Sequence, residues 1–254
     1  MNHSPELAAA LEAAEAAARV IRELYQRNVA VRLKEDKSPV TEADVRAEEA
    51  IRGVLAARFP DHAFYGEETG RSGSADALWL VDPIDGTKAF VREYPMFSTQ
   101  IALMRGGRLV LGVSSAPLYG ELAWAERGTG AWLNGRRLHV SAIDTLEQAA
   151  LSGGNLKTLA LDAARWQRYG AVVAQVNRIR GYGDFLHYHL LAGGKIDAVV
   201  ESDVNVLDVA ALVTIVEEAG GRFTDLDGRE IGLDSTTVLA TNGRLHATLR
   251  AALG

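Results

Sequence analysis

The sequence predicts an α+β chain, and three observations carry that reading. Apolar residues recur at helical spacing near the start, a short apolar strand leads into an antiparallel meander, and helices alternate with strands in the second half. Ser4-Pro5-Glu6 opens the first helix with a capping hydroxyl and a first-turn proline, and Leu7, Leu11, Ala14, Ala18, Ile21 and Tyr25 follow on one face. A polar segment from Lys34 to Pro39 leads to Thr41 and Asp44. A hydroxyl and an acid three residues apart form the pattern of a capping box, so a second helix runs towards Arg58 with Asp44 in its first turn.

Leu78, Trp79, Leu80 and Val81 make a wholly apolar run, as a buried strand should, and it ends abruptly in the acids of Asp82 to Asp85. Strand-like stretches follow at Thr99 to Met104, Leu109 to Ser114 and Glu121 to Ala125. Gly106-Gly107 and Pro117 to Gly120 separate them, and Asn134-Gly135 is a further hairpin signal. After about Ser141 the pattern changes: a helix over Thr158 to Tyr169, a strand over Ala171 to Ile179, a helix from Asp184 to Ala192, and a strand from Ile196 to Val200. A helix from Asp208 to Ala219, strands Arg222 to Thr224 and Val238 to Thr241, and a last helix to Leu253 complete the chain. No repeat or long linker divides it, so two subdomains, residues 1–140 and residues 141–254, are expected to share a cleft.

With 254 residues, 48% of them hydrophobic, the chain can build a core without staples, and the absence of cysteine leaves oxygen or imidazole as the only ligands for a metal. A formal charge of -6 without a dense basic run argues against nucleic acid as a partner. The segment from Met1 to Tyr25 carries Glu6, Glu12, Glu15, Arg19 and Arg22, so it reads as neither a signal peptide nor a membrane span. The expectation is a cytoplasmic protein with small-molecule partners and no membrane contact.

The hexapeptide Asp82-Pro83-Ile84-Asp85-Gly86-Thr87 puts two carboxylates within four residues at the end of a buried strand. Unpaired, they repel each other and one is driven to protonate, whereas Mg²⁺ takes about six oxygens and resolves the conflict. Asp-Pro and Asp-Gly are also ordinary turn formers, and Asp208 read alone is a helix cap.

The hexapeptide, with Gly66-Glu67-Glu68 upstream, resembles the signature of the inositol monophosphatase family. Lys37-Ser38-Pro39-Val40-Thr41-Glu42-Ala43-Asp44, Leu207-Asp208-Val209-Ala210-Ala211 and Glu217 to Gly221 look like its other elements in the same order. One departure is Leu207, where the family usually has tryptophan; altered packing is expected there. The resemblance implies a layered αβαβα sandwich of the sugar-phosphatase type, a homodimer, and Mg²⁺-dependent hydrolysis of a small phosphate ester with two or three Mg²⁺ per site. It makes Glu67, Asp82, Asp85, Asp208 and the Ile84 carbonyl metal ligands. Glu67 and Thr87 then position the attacking water, Asp44 accepts a hydrogen bond from Thr87, and Asp85, Gly86, Thr87 and Asp208 hold the phosphate and its ester.

Substrate choice falls to the second half, where Asp184 and Glu201 are the candidate residues. Gly183-Asp184-Phe185, with Thr87-Lys88-Ala89-Phe90, resembles the histidinol-phosphate phosphatase branch, and two acids suit the amine and imidazole of L-histidinol phosphate. Asp184 as a mere helix cap is the competing reading. Inositol monophosphate, other sugar phosphates and 3'-phosphoadenosine 5'-phosphate are rival substrates, and a catalytically silent metal-binding protein is the rival from another class. His187 and His189 point in different directions on a helix and read as packed or partly exposed side chains. Tyr182, Phe185 and Tyr188 read as core, and Arg127-Gly-Thr-Gly lacks the context of a dinucleotide site.

Overall fold

The computed structural model describes residues 3–27, 31–33 and 39–254, so Lys34 to Ser38, including Lys37 and Ser38 of the upstream motif, lie outside the described residues. Two helices, α1 (Pro5–Leu24) and α2 (Glu42–Arg58), flank a small ribbon of β1 (Val31–Leu33) and β2 (Pro39–Thr41). The Ser4 hydroxyl caps α1 through the Leu7 N–H at 3.0 Å, and Thr41 and Asp44 form the expected capping box at the start of α2.

The first half is dominated by an eight-stranded sheet of β3 (Ala63–Gly66), β4 (Gly70–Ser72), β5 (Ala77–Asp85), β6 (Ser98–Arg105), β7 (Arg108–Ala116), β8 (Glu121–Glu126), β9 (Gly130–Leu133) and β10 (Arg136–Arg137), with the short α3 (Thr87–Val91) after β5. From β5 to β10 each strand pairs antiparallel with the next, the meander the turn signals predict, while β3 lies parallel to β5.

The second half contains β11 (Ala150–Gly154), α4 (Lys157–Leu161), α5 (Ala163–Val173), β12 (Arg178–Arg180), α6 (Asp184–Ala192), β13 (Ala198–Ser202), α7 (Val206–Glu218), β14 (Arg222–Thr224), β15 (Thr237–Thr241) and α8 (His246–Leu253). Its sheet has the order β12-β11-β13-β15-β14. Two expectations are corrected here. The helix over Thr158 to Tyr169 is two helices, because the Asp162 side chain caps a fresh one through the Arg165 N–H. That second helix runs on to Val173 and confines the strand foreseen over Ala171 to Ile179 to Arg178–Arg180.

Alternation along the strands sorts the core into layers. Ile101 and Leu103 of β6 pack with α1 and α2, while Ala102 and Met104 face α6 and α7. In the second sheet Val199 faces α6 and α7, while Ala198 and Val200 pack with α4, α5 and α8. The result is the αβαβα sandwich, with α6 and α7 as its middle layer. Leu207, where the family usually has tryptophan, is 2% exposed within that layer.

The middle layer touches the sheet most closely at Gly112 of β7. A Cβ built there lies 2.1 Å from the Ala211 carbonyl oxygen of α7, so only glycine fits. The contact fixes the height of α7 over the sheet and with it the position of Asp208, one turn away. Gly112→Ala is expected to lower the unfolding free energy by about 3 kcal/mol, the upper range for overpacking, as read from urea melts against wild type.

Candidate active site

The acids meet where β5 ends. Asp82 pairs with Gln100 and Asp85 with Ser98, so three steps along β5 match two along β6, and the extra residue forms a bulge. In a regular strand, residues an odd number apart point to opposite faces; the bulge brings both carboxylates to one side. The Ile84 N–H donates to Asp82 Oδ1 at 2.9 Å, and the Thr99 hydroxyl donates to the Pro83 carbonyl at 2.8 Å, locking the bulge.

Asp208 arrives from the far half of the chain. It is the third residue of α7 and not its first, because Asn205 is the N-cap and forms a capping box with it: the Asn205 N–H donates to Asp208 Oδ2 at 2.9 Å. Carboxylate oxygens of Asp82, Asp85 and Asp208 lie within 4.8 Å of one another. Glu67 stands near enough for its charge to bear on Asp82, and its backbone N–H donates to the Val81 carbonyl at 3.1 Å.

Glu48 is a residue that the sequence reading missed. It is buried on α2 and accepts from the Glu68 and Thr69 N–H groups at 2.8 and 2.9 Å, pinning the turn that presents Glu67. A Cβ on Gly66 lies 2.5 Å from the Glu48 carboxylate, which explains glycine there. The signal was an acid four residues after Asp44, on the same face of the helix.

Burial, and then the charges of Glu67, Asp85 and Asp208, hold Asp82 well above the usual carboxylate range. Asp85 is raised likewise, by burial and then by Asp184, Asp208 and Glu201, and Asp208 is pushed up to about 7, chiefly by burial. The charges bearing on Asp82 and Asp85 are all carboxylates. A part-buried, oxygen-only cluster fits a hard divalent cation.

Thr87 lies beside the cluster at the start of α3. Its hydroxyl is 3.1 Å from Asp44 Oδ1 and 3.0 Å from the Ile84 carbonyl, while Asp44 Oδ2 accepts from both the N–H and the hydroxyl of Thr41 at 2.7 and 2.6 Å. Burial raises the proton affinity of Asp44. Gly86 has φ +93 and a Cβ on it lies 2.7 Å from the Met96 carbonyl, so the turn into α3 requires glycine.

On the opposite wall Asp184 is the first residue of α6, with φ +46 and no capping bond; Gly183 holds the N-cap position. Burial, and then the Glu201 charge, push Asp184 up to about 6, while His187 and Lys88 act in the opposite sense. Glu201 is buried; Tyr188 donates to its Oε2 at 2.6 Å, and His187 Nε2 lies 3.2 Å from the same oxygen but off the line of a hydrogen bond. His187 and His189 are packed, the first of the two alternatives, and fully buried because α6 lies between the two sheets. His187 turns to Ser152 and Glu201, and His189 to Ser114 and Glu121. Phe185 and Tyr188 are core, as expected. A cavity of about 830 Å³ opens from Glu67, Lys88 and Asp208 towards Ser202 and Arg165.

Two sheets interleaved with helices, with an oxygen-only acid cluster at their junction, define a metal-dependent phosphomonoesterase. The chain belongs to the inositol monophosphatase family, whose profile matches residues 2–254. It is 41% identical to a histidinol-phosphatase of Streptomyces coelicolor over 86% of this chain and 85% of the relative. It is 37% identical to one of Chlorobaculum parvum over 99% of this chain and 97% of the relative. The extragenic suppressor protein suhB of Bartonella henselae superposes with a TM-score of 0.89 at 33% identity, covering 98% of each chain. Among the described residues no helix is long and apolar enough to cross a membrane.

Crowded carboxylates without a cation destabilise the fold. In chelator, Asp85→Asn is expected to melt above wild type by about 2–8 °C, the shift that roughly 1–2 kcal/mol produces in a chain of this size. Adding a divalent cation should reverse the order, because only the wild type gains the full binding energy. Differential scanning calorimetry with and without the ion checks both.

Proposed function

We propose that this chain hydrolyses L-histidinol phosphate to histidinol and inorganic phosphate, with Mg²⁺ as its cation. The observation that carries the substrate is Asp184. It is the first residue of α6 at φ +46, with Gly183 in the N-cap position, and its charge bears on Asp85 and meets those of Glu201, His187 and Lys88. An acid beside the phosphate-binding acids suits a substrate whose leaving group carries an amine and an imidazole. The histidinol-phosphatase relatives support the same reading. A cytoplasmic homodimer, and a division into residues 1–140 with the metal site and residues 141–254 with the substrate-selecting acids, belong to the proposal on the family resemblance.

Glu67, Asp82, Asp85, Asp208 and the Ile84 carbonyl would hold two or three Mg²⁺. Bound there, the cations supply electrostatic stabilisation to the attacking and leaving oxygens of the displacement. The chain's own residues do the rest. Glu67 and Thr87 orient the water; Thr87 Oγ1 takes the water's proton as its own passes to Asp44 Oδ1, whose buried position favours the protonated form. Leading N–H groups of α3, at Thr87 and Lys88, have no carbonyl within the helix and face the phosphate with Gly86. The intact Thr87–Asp44 pair argues against the silent metal-binding alternative, which has no use for it.

The test is phosphate release from L-histidinol phosphate and myo-inositol 1-phosphate side by side, with Mg²⁺, with chelator, and with Asp85→Asn as blank. A preference in kcat/KM for the histidinol ester, abolished in chelator and blank, is expected. Asp184→Ala should lose roughly 10–100-fold on histidinol phosphate, the worth of a charge-assisted contact, with inositol phosphate turnover spared. A preference for the inositol ester keeps the metal site and overturns the substrate.

A further inference from the structure

A line of polar side chains crosses the otherwise apolar face between the large sheet and α6. Ser98 sits opposite Asp85 on β6, and its hydroxyl lies 3.5 Å from Asp85 Oδ2. Gln100, two residues on and therefore on the same face, places Nε2 at 2.7 Å from Ser98 Oγ and at 3.1 Å from Oγ of Ser114, its pairing partner on β7. His189 reaches down from α6 with Nε2 at 2.9 Å from Ser114 Oγ and Nδ1 at 2.7 Å from Glu121 Oε2. Ser98, Gln100, Ser114 and His189 are each no more than 2% exposed, whereas the Glu121 side chain is 23% exposed at the start of β8.

The ends of this line favour one direction of donation along it. Both are carboxylates, Glu121 and a cation-holding Asp85, and an ionised carboxylate only accepts. His189 therefore donates from Nδ1 to Glu121, and its Nε2 meets the Ser114 hydroxyl. Ser114 and Ser98 each accept one N–H of the Gln100 amide, leaving the Ser98 hydroxyl to donate to Asp85 Oδ2. The pattern is self-consistent, and the price is one buried atom without a partner, Gln100 Oε1. Apolar residues would fill this face more cheaply, so the line serves something other than packing.

We infer that His189 is a positioning residue for Asp85, acting through Ser114, Gln100 and Ser98 to fix the plane of the Asp85 carboxylate and leave Oδ1 free for the cation. The inference rests on the proposed cation site. Partners behind a ligand carboxylate set its orientation, and losing one costs roughly 10–100-fold in metal affinity.

The test is a double-mutant cycle read by calorimetric titration of Mg²⁺ into the substrate-free, full-length protein. His189→Leu and Ser98→Ala should each weaken Mg²⁺ binding by roughly 10-fold or more, and His189→Leu should add nothing in the Ser98→Ala background. Should His189→Leu not fold, Ser114→Ala interrupts the line with little change in volume and completes the same cycle. Unchanged affinity in the outer variant, or additive losses, would overturn the relay alone. A wild type that binds no Mg²⁺ would overturn the cation site and the relay with it.

Discussion

Mutual repulsion among buried carboxylates is the constraint on which the rest of this structure depends. Glu67, Asp82, Asp85 and Asp208 come from β5, the turn after β3, and a helix more than a hundred residues further on, and they converge where water is scarce. Burial penalises the charges of Asp82, Asp85 and Asp208 and their acidic neighbours add to the penalty, so the cluster persists only because its scaffold is held from several sides. The β5 bulge turns two acids to one face, Glu48 clamps the turn that carries Glu67, and the Asn205 capping box aims Asp208. A hard cation suits such an arrangement.

The sandwich is organised to keep α7 in place. That helix packs against the large sheet on one side and contributes to the core shared with the smaller sheet on the other, so its N-terminal turn sits at the junction of the two halves. Gly112 permits backbone-to-backbone approach, and the apolar run from Val209 to Val216 fills both faces. A helix embedded this way has little freedom to tilt, and the geometry of Asp208 inherits that rigidity.

The neighbouring α6 does different work with a similar position. Its His187 and Tyr188 turn towards Glu201 on the smaller sheet, its His189 turns towards Ser114 on the large one, and its first residue, Asp184, faces the acids. Packing and the proposed roles in substrate choice and in orienting Asp85 thus fall to one nine-residue helix. Substitutions in α6 bear on more than one property for that reason.

The local signals in the sequence determined a good deal: the caps at Ser4 and Thr41, the apolar strand before Asp82, the meander after Thr99, and the acid hexapeptide with its demand for a hard cation. They succeeded because caps, turns and strand alternation depend on residues close together in the chain. Short elements such as β3 and β11, the break at Asp162, the role of Glu48 and the burial of both histidines were not legible, since each depends on what packs against it from far away. Asp208 shows the division most clearly. Read alone its local context gives a helix cap, and only the family motif makes it a ligand, whereas the tertiary structure sets it against Asp82 and Asp85, because charge repulsion between distant residues exists only once folding has brought them within a few ångströms.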